Sequence, residues 1–319
     1  MRISYTVADG LGPFETVENE KSRAAALFFS WVFLEKKGKK FHNSMEKFPL
    51  VYKMYISLYI EGEGKESNMK KFTLEICADS FESAKAAWEG GADRIELCQN
   101  LIIGGTTPSP YLFRQIREKN PIRIHVLIRP RFGDFLYSEE EIQVMEEEIK
   151  MYREMGAEGV VIGALTPEGR LDKAQLSRLM KAADGMSVTL HRAFDMCRDP
   201  REGLQDAIDL GFHRILTSGQ KNSALEGWEV LSELRKESAG KIRIMAGAGV
   251  SPRNIPQIYE KTGIMEYHMS GKITVESGMK YRKEGVSMGL PSFSEYQLFR
   301  TDKGQVEKAA ACLRSLEEA

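Results

Sequence analysis

The sequence predicts a (β/α)8 barrel of the TIM type over residues 71–319, preceded by an N-terminal extension over residues 1–70. Two observations lead to this fold class. Eight short segments rich in β-branched and apolar residues alternate with longer segments of helical periodicity, which is typical of parallel strands joined by crossover helices. Eight is also the number of strands that closes a barrel of this type.

The predicted strands and helices follow one another to the C-terminus. Ser80 and Ser138 are suitable N-caps for helices, and Pro110 and Pro200 fit a first helical turn. A last helix is predicted near 305–316, where the apolar residues form one stripe. The eight strands are predicted to begin at Phe72, Asp93, Arg123, Gly159, Ser187, His213, Ile242 and Met265.

An open, doubly wound sheet is the alternative fold for eight such units. That fold would typically carry a nucleotide-binding G-x-G-x-x-G motif after the first strand. The segment that follows Cys77 is ADSFES, which contains no glycine. The closed barrel is therefore favoured.

Residues 1–70 lack the strand alternation of the later chain and end in the charged stretch EGEGKESNMKK. We expect this extension to be poorly ordered. Its longest apolar run, 24–34, is far shorter than the roughly 20 residues that cross a bilayer. Acidic residues precede the run where a signal peptide would be basic. Neither a membrane partner nor a signal peptide is therefore predicted.

The composition is that of a soluble globular protein, with 42% hydrophobic and 29% charged residues. Lys and Arg number 45 against 46 Asp and Glu, and a net charge of -1 argues against nucleic acid as a partner. The four cysteines, Cys77, Cys98, Cys197 and Cys312, are too few and too spread for a secreted disulfide scaffold. A reducing, cytoplasmic location is therefore expected, and it could extend to the nucleus.

Side-chain parity along the predicted strands places ionisable residues inside the barrel. In FTLEIC, Leu74 and Ile76 share the face that must contact the helices, so the other face points into the lumen. The same parity applies to the other strands. The residues predicted to point inward are Thr73, Glu75, Cys77, Arg94, Glu96, Cys98, His125, Arg129, Thr189, His191, Arg243, Glu266 and His268.

An ionic lumen requires internal pairing or a ligand, because burying an unpaired charge is costly. Arg94, Glu96 and Arg243 lie deeper, so they also fit a network that only fills the core. Residues at the carboxyl ends of strands are stronger candidates for function because the active sites of barrels lie at that end. These residues are Cys77, Cys98, Arg129, His191 and His268.

The segments LEIC and IELC place a carboxylate and then a thiol in the same register on neighbouring strands. Adjacent strands lie about 4.8 Å apart. Cys77 and Cys98 could therefore share a soft ion such as Cu(I), which thiolates favour over oxygen ligands. The alternative is that both are small buried residues without a metal.

Two loops carry further charged residues. Arg129, Arg131 and Asp134 share one tight turn, in a geometry suited to holding a carboxylate or phosphate. After the fifth strand, His191 and Asp195 form a potential acid/base pair flanking a third candidate, Arg192, although a surface ion pair is the alternative. 

Small residues follow the sixth and seventh strands, where barrels commonly bind phosphate. They would let backbone N–H groups approach an anion at a helix start, or they could serve only tight turns. The ligand-binding candidates here are Ser218, Gly219, Gly247 and Gly249.

A series of motifs runs in unbroken order from Phe72 to the C-terminus: LEICADS, GGADRIELC, GGTTPS, IRPRFGDFLYS, HRAFDM, RILTSGQ, IMAGAGV and SGMKYR. In these motifs the chain resembles the CutC copper homeostasis protein family, and SEYQLF is most similar to its animal members. The resemblance implies a cytosolic (β/α)8 barrel that handles copper and forms a homo-oligomer, a dimer or a tetramer. It also implies Cu(I) ligands at Cys77 and Cys98. Residues 1–68 have no counterpart in the family.

Three functions compete. The favoured one is a Cu(I)-binding protein, not an enzyme, that buffers or delivers copper. The second is an enzyme for a small anionic or phosphorylated metabolite, with Arg129 and Arg131 as the clamp. A purely structural barrel leaves the ionic mouth unexplained. In the enzyme, the candidates for acid/base catalysis are Glu75, His191, Asp195 and His268.

Overall fold

A computed structural model of the chain describes residues 71–289 and 293–318. The expectation of poor order for residues 1–70 concerns a segment outside the described residues.

Eight parallel strands form a closed barrel in which each strand pairs with the next and β8 pairs with β1. The predicted fold class is confirmed, and each strand lies where the sequence pattern indicated. The strands are β1 (Thr73–Ala78), β2 (Arg94–Leu97), β3 (Arg123–Leu127), β4 (Gly159–Ile162), β5 (Ser187–Leu190), β6 (Arg214–Thr217), β7 (Arg243–Ala246) and β8 (Glu266–Met269).

A helix follows each strand of the barrel, and four of the eight helices begin at the residues that the sequence indicated. The Ser80 side chain accepts a hydrogen bond from the backbone of Ser83, and Ser138 forms a capping box with Glu141. The helices are α1 (Phe81–Glu89), α2 (Pro110–Lys119), α3 (Glu139–Glu154), α4 (Lys173–Ala182), α5 (Pro200–Asp209), α6 (Trp228–Glu237), α7 (Ile255–Thr262) and α8 (Lys303–Glu318).

The apolar core lies between the strands and the helices. Leu74, Ile76, Ile95 and Ile124 are fully buried on the outer face of the barrel, as the parity of the strands predicted. The opposite face of each strand is thereby left to line the lumen. This division positions the polar residues described below.

A two-stranded antiparallel hairpin interrupts the path from β8 to α8. It consists of β9 (Lys272–Glu276) and β10 (Gln297–Thr301), and sequence analysis did not predict it. The backbone N–H of Thr301 donates to the hydroxyl of Ser83 at 3.1 Å, which attaches the hairpin to α1. The hairpin therefore adjoins the quarter of the barrel that contains β1 and β2.

The register of β1 and β2 differs from the expected alignment. Glu75 pairs with Arg94, and Cys77 pairs with Glu96, so the two cysteines are displaced by two residues along the strands. The expectation that LEIC and IELC align residue for residue is wrong, because closing a barrel requires its strands to be staggered. Cys98 consequently lies one layer nearer the mouth than Cys77.

Candidate functional site

The lower part of the lumen contains a network of ion pairs. Glu75 is fully buried and accepts a hydrogen bond from Arg94, whose Nη2 donates to Glu266 at 2.9 Å. Arg214 Nε also donates to Glu266, at 3.1 Å. Four buried charges of alternating sign therefore neutralise one another. Their side chains fill this part of the lumen.

Arg214 is the member of this network that sequence analysis missed. Its Nη1 donates to the hydroxyls of Ser187 and Thr189 at 2.7 and 3.2 Å, and the residue is buried. The parity argument, extended to β6, would have found it. Arg243 was expected deep in the lumen, but its side chain is 69% exposed and contacts Glu266 only at 3.4 Å. That expectation is wrong because β7 begins at Arg243, at the amino-terminal rim.

Cys77 and Cys98 are buried free thiols near the carboxyl ends of β1 and β2. Cys77 Sγ lies 3.8 Å from the carbonyl oxygen of Met269, and Cys98 Sγ lies 3.6 Å from that of Ala78. Burial, with the negative charges of Glu96, Cys77 and Asp79 adding to it, raises the pKa of Cys98 well above the usual value. The Cys98 thiol is therefore protonated at neutral pH.

His268 connects this thiol pair with the ionic network. Its Nδ1 lies 2.7 Å from Glu75 Oε1, and its Nε2 lies 3.8 Å from Glu96 Oε2. Burial alone would favour the neutral ring, but the charges of Glu96 and Cys77 and a hydrogen bond to Glu75 raise the pKa of His268 well above its usual value. His268 is therefore an imidazolium between two carboxyl groups.

The two carboxyl groups beside His268 differ. Burial would raise the pKa of Glu75, but Arg94 and His268 hold that pKa well below its usual value. Burial raises the pKa of Glu96 to about 7, and the charge of Glu75 adds to the effect. Glu96 is therefore the group at the mouth that exchanges a proton near neutral pH, a property typical of functional carboxyl groups.

The predicted clamp on the turn after β3 is occupied by the protein itself. The guanidinium group of Arg129 donates to the carbonyl oxygens of Gly105 and Gly133 at 3.0 and 2.8 Å. Arg131 donates to Glu141 at 2.6 Å and forms an ion pair with Asp134. Arg129 is buried, whereas Arg131 and Asp134 lie near the surface. The two guanidinium groups do not converge on one ligand position.

His191 is buried against the ring of Phe135, with the two ring centroids 4.9 Å apart. Its Nδ1 accepts a hydrogen bond from the backbone of Ala193 at 3.1 Å. Burial and the charge of Arg129 lower the pKa of His191 to about 3, so the ring is neutral. Its Nε2 is buried without a hydrogen-bond partner in the described part of the chain.

Asp195, which follows β5 in the chain, does not pair with His191. Its carboxylate is instead enclosed by the loop after β6. One of its oxygens accepts hydrogen bonds from the backbones of Ser218 and Gln220, each at 3.1 Å. The other accepts from Arg192 Nε at 2.7 Å. The carboxylate therefore occupies the place that an anionic ligand of this loop would take.

Three of the candidate glycines occupy positions where a larger residue would clash with its neighbours or strain the backbone. Gly219 has φ +69°, and a Cβ there would lie 2.3 Å from the carbonyl oxygen of Gly227. A Cβ on Gly247 would lie 2.4 Å from Leu216 Cδ1, and Gly249 also has a positive φ. The close contacts and the backbone geometry account for these glycines without a bound phosphate.

No group of three or more His, Cys, Asp or Glu side chains in residues 71–289 and 293–318 is arranged to hold a metal ion. A metal with three or four such ligands therefore does not fit this part of the chain. An ion held by Cys77 and Cys98 alone needs only two protein ligands, so it is compatible with this finding. Thiolates are the ligands that select Cu(I). Among the same residues, no helix has the length and apolar character needed to cross a bilayer.

The fold and the mouth define a (β/α)8 barrel with two reduced cysteines above an ionic lumen. The CutC family profile matches residues 72–273. The chain belongs to the CutC family.

Individual relatives agree with this assignment. A CutC family protein of Bacteroides fragilis is 49% identical over 231 residues, which covers 72% of this chain and 92% of the relative. The human protein named copper homeostasis protein cutC homolog is 44% identical over 254 residues, covering 79% and 93%. The crystal structure of CutC from Streptococcus agalactiae superposes with a TM-score of 0.59 at 32% identity, covering 62% of this chain and 98% of that one.

Proposed function

We propose that this protein acts in copper homeostasis by binding Cu(I) through Cys77 and Cys98, for buffering or delivery, without catalysing a reaction. The observation that carries the proposal is the pair of free, buried thiols at the carboxyl ends of adjacent strands. The name of the human relative, copper homeostasis protein cutC homolog, supports it.

The chemistry of the thiols also supports this proposal. Cu(I) prefers thiolate sulfur as a ligand to the carboxylate oxygens of Glu75 and Glu96. The sulfur atoms make only weak contacts with backbone carbonyls, at 3.6 and 3.8 Å, which a metal–sulfur bond would easily replace. Cys98 must lose its proton to bind, so the bound ion exchanges with a proton in a site of low solvent access.

Anaerobic titration of the full chain with Cu(I) held by a chromogenic chelator tests the proposal. We expect one copper ion per chain, and we expect Cys77→Ser and Cys98→Ser each to weaken binding by more than about 100-fold, since loss of groups that only support a ligand already costs 10–100-fold. Cys197→Ser is the matched control. It removes another buried thiol, one whose Sγ lies 3.8 Å from the carbonyl of Ala193 after β5. Unchanged binding by the Cys77→Ser, Cys98→Ser double variant would refute the proposal.

A second candidate function, an enzyme for a small anionic metabolite, draws on the side chains packed around Phe135. Arg129 lies over the Phe135 ring with its Cζ 5.0 Å from the centroid, and His191 packs on the same ring. Arg129 Nε and His191 Nε2 are both buried, and neither has a hydrogen-bond partner within the described ranges. Two unsatisfied polar atoms around one ring favour a polar ligand there.

Thermal unfolding in the presence of phosphorylated and carboxylated metabolites tests this second function. A stabilising metabolite should lose its effect in Arg129→Gln and His191→Gln but keep it in Arg131→Gln, whose side chain pairs at the surface. If no anion raises the melting temperature, the enzyme hypothesis fails while the copper proposal stands.

We further propose that the protein is a cytoplasmic homo-oligomer and that residues 1–70 are an extension separate from the barrel. The four free cysteines support a reducing compartment. Light scattering of the purified chain should give a dimer or tetramer mass. A variant that begins at Met69 should retain the same oligomeric state and the same Cu(I) affinity.

A further inference from the structure

A cavity of about 350 Å³ lies between the β9–β10 hairpin and the loops that follow β1 and β2. Its volume is within the range of small-molecule sites. The ion pairs of the lumen and the side chains around Phe135 do not contribute to its walls. The residues that give it chemical character are Asp79, Gln99, Leu101, Leu298, Phe299 and Arg300.

The cavity contains two opposite charges that do not pair with each other. Asp79 and Arg300 both line it, yet neither takes part in an ion pair within 4.0 Å in the described chain. Arg300 Nη1 donates to the carbonyl oxygen of Phe299 at 2.8 Å, which leaves the other guanidinium donors for a ligand. A partly buried carboxylate without an ion pair gains from a cationic ligand group.

The remaining walls combine apolar side chains with the polar side chains of Asn100, Ser294 and Gln297. Leu101, Leu298 and Phe299 provide aliphatic and aromatic surface between the two charged side chains. Gln99 adds a side chain with an amide donor and acceptor. Apolar surface next to polar groups at fixed positions suits a small molecule that has both kinds of group.

We propose that this cavity binds a small zwitterion with an apolar body, of the size of an amino acid or a dipeptide. The ammonium group of the ligand lies at Asp79, its carboxylate lies at Arg300, and its apolar part contacts Leu101, Leu298 and Phe299. The arginine fork suits a carboxylate because it can donate two parallel hydrogen bonds. The proposal does not depend on copper, and its test uses metal-free protein.

Ligand-observed NMR of the metal-free full chain, with the twenty amino acids and a set of apolar dipeptides as probes, tests the proposal first. We expect saturable binding by at least one apolar member. The best probe is then compared with its N-acetyl derivative, which lacks the ammonium charge, and its amide, which lacks the carboxylate. Each derivative should bind about tenfold more weakly, because hydrogen bonds to charged groups are the strong ones. No saturable binding by any probe, or binding of both derivatives as tight as that of the parent probe, would overturn the proposal.

Two variants then assign the ends of the ligand. Asp79→Asn should abolish the preference for the probe over its N-acetyl derivative, and Arg300→Gln should abolish the preference over its amide. Asp184→Asn and Arg314→Gln are matched controls on exposed residues outside the cavity, and both should retain tenfold preferences. If a cavity variant fails to fold, the derivatives tested on the unmodified chain still decide the outcome. Preferences that persist in both cavity variants would contradict the assignment.

Discussion

Cys77 lies opposite Glu96 in the ladder between β1 and β2, so the register partner of the first thiol is a carboxyl group and not the second thiol. The stagger places Cys98 one layer nearer the mouth, where Glu96 and Asp79 add negative charge to its surroundings. The Cys98 sulfur therefore lies in an environment that disfavours its thiolate until a cation arrives. A soft cation would relieve this effect, which couples copper binding to protonation.

The affinity for Cu(I) should rise with pH. The pKa of Cys98 is raised above its usual value, mainly by burial. At pH 6 to 8 the free site is therefore protonated at this sulfur, and binding displaces the proton. We expect the apparent affinity to increase about tenfold per pH unit for each proton displaced. Chelator competition at pH 6, 7 and 8 measures the slope, and a slope of zero would contradict the displacement of a thiol proton.

Glu96→Gln should change the pH dependence of stability. The pKa of Glu96 in the folded protein, about 7, is above the ordinary value of 4.5, so the folded state favours its protonated form. The stability that Glu96 contributes is therefore fully present below pH 4.5 and is lost as the pH rises through 7. The loss amounts to roughly 3 kcal/mol at most, since each pKa unit corresponds to about 1.4 kcal/mol.

Urea unfolding at pH 4.5 and pH 8 measures this effect. The Glu96→Gln variant should lose less free energy of unfolding between these pH values than the unmodified protein does. Glu118→Gln, on the exposed face of α2, should show no such difference. An unchanged pH dependence in Glu96→Gln would show that Glu96 does not titrate near pH 7.

Arg94→Met should strongly destabilise the barrel. The substitution leaves Glu75 and Glu266 buried without the cation that lies between them, and breaking a buried pair in this way costs about 3–5 kcal/mol. Arg243→Gln removes another cation near Glu266. Because the Arg243 side chain is 69% exposed, this loss should lower the free energy of unfolding by less than about 1 kcal/mol. Denaturant unfolding of both variants measures the difference. Similar losses of unfolding free energy would contradict the role of Arg94 as the cation that neutralises Glu75 and Glu266.

The histidine rings should differ in charge at neutral pH. His268 is expected to be an imidazolium, because Glu96, Cys77 and Glu75 outweigh its burial. His125 and His191 should remain neutral, because burial lowers the pKa of each ring to about 3. Nitrogen chemical shifts of the rings at pH 7 distinguish the two states. A neutral His268 ring would contradict the proposed electrostatics of the mouth.

Gly227→Ala should destabilise the loop that encloses Asp195. An added Cβ would lie 1.9 Å from the carbonyl oxygen of Ser218, a backbone atom that cannot move without disturbing the hydrogen bonds to Asp195. We expect a loss of about 1–3 kcal/mol, as for other overpacked sites. Gly278→Ala is the control, since nothing lies within 4 Å of its added Cβ. Equal melting temperatures of the two variants would show that the contact with the Ser218 carbonyl oxygen does not reduce stability.

The sequence predicted the elements of the fold well because strand and helix periodicity are local properties. All eight barrel strands and the caps at Ser80 and Ser138 follow from residues close in sequence. The β9–β10 hairpin was missed because no rule of the alternating pattern provides for a hairpin after the eighth strand. The parity of β1 likewise placed Glu75 correctly inside the barrel.

The geometry of the site depended on contacts that the sequence does not contain. The stagger that pairs Cys77 with Glu96 results from closure of the whole barrel, and not from the segments LEIC and IELC. Asp195 looked like a partner of His191 because they are four residues apart. In the structure its carboxylate accepts hydrogen bonds from Arg192, three residues before it, and from the loop after β6, more than twenty residues away. Only tertiary structure brings that loop to the carboxylate.

X-ray absorption at the copper edge, on the full chain loaded anaerobically with one equivalent of Cu(I), determines which atoms bind the copper. We predict that two sulfur atoms surround the copper and that the Cys77→Ser, Cys98→Ser double variant loses this signal while Cys197→Ser keeps it. A copper environment of nitrogen or oxygen alone, or a sulfur signal that persists in the double variant, would refute Cu(I) binding by Cys77 and Cys98.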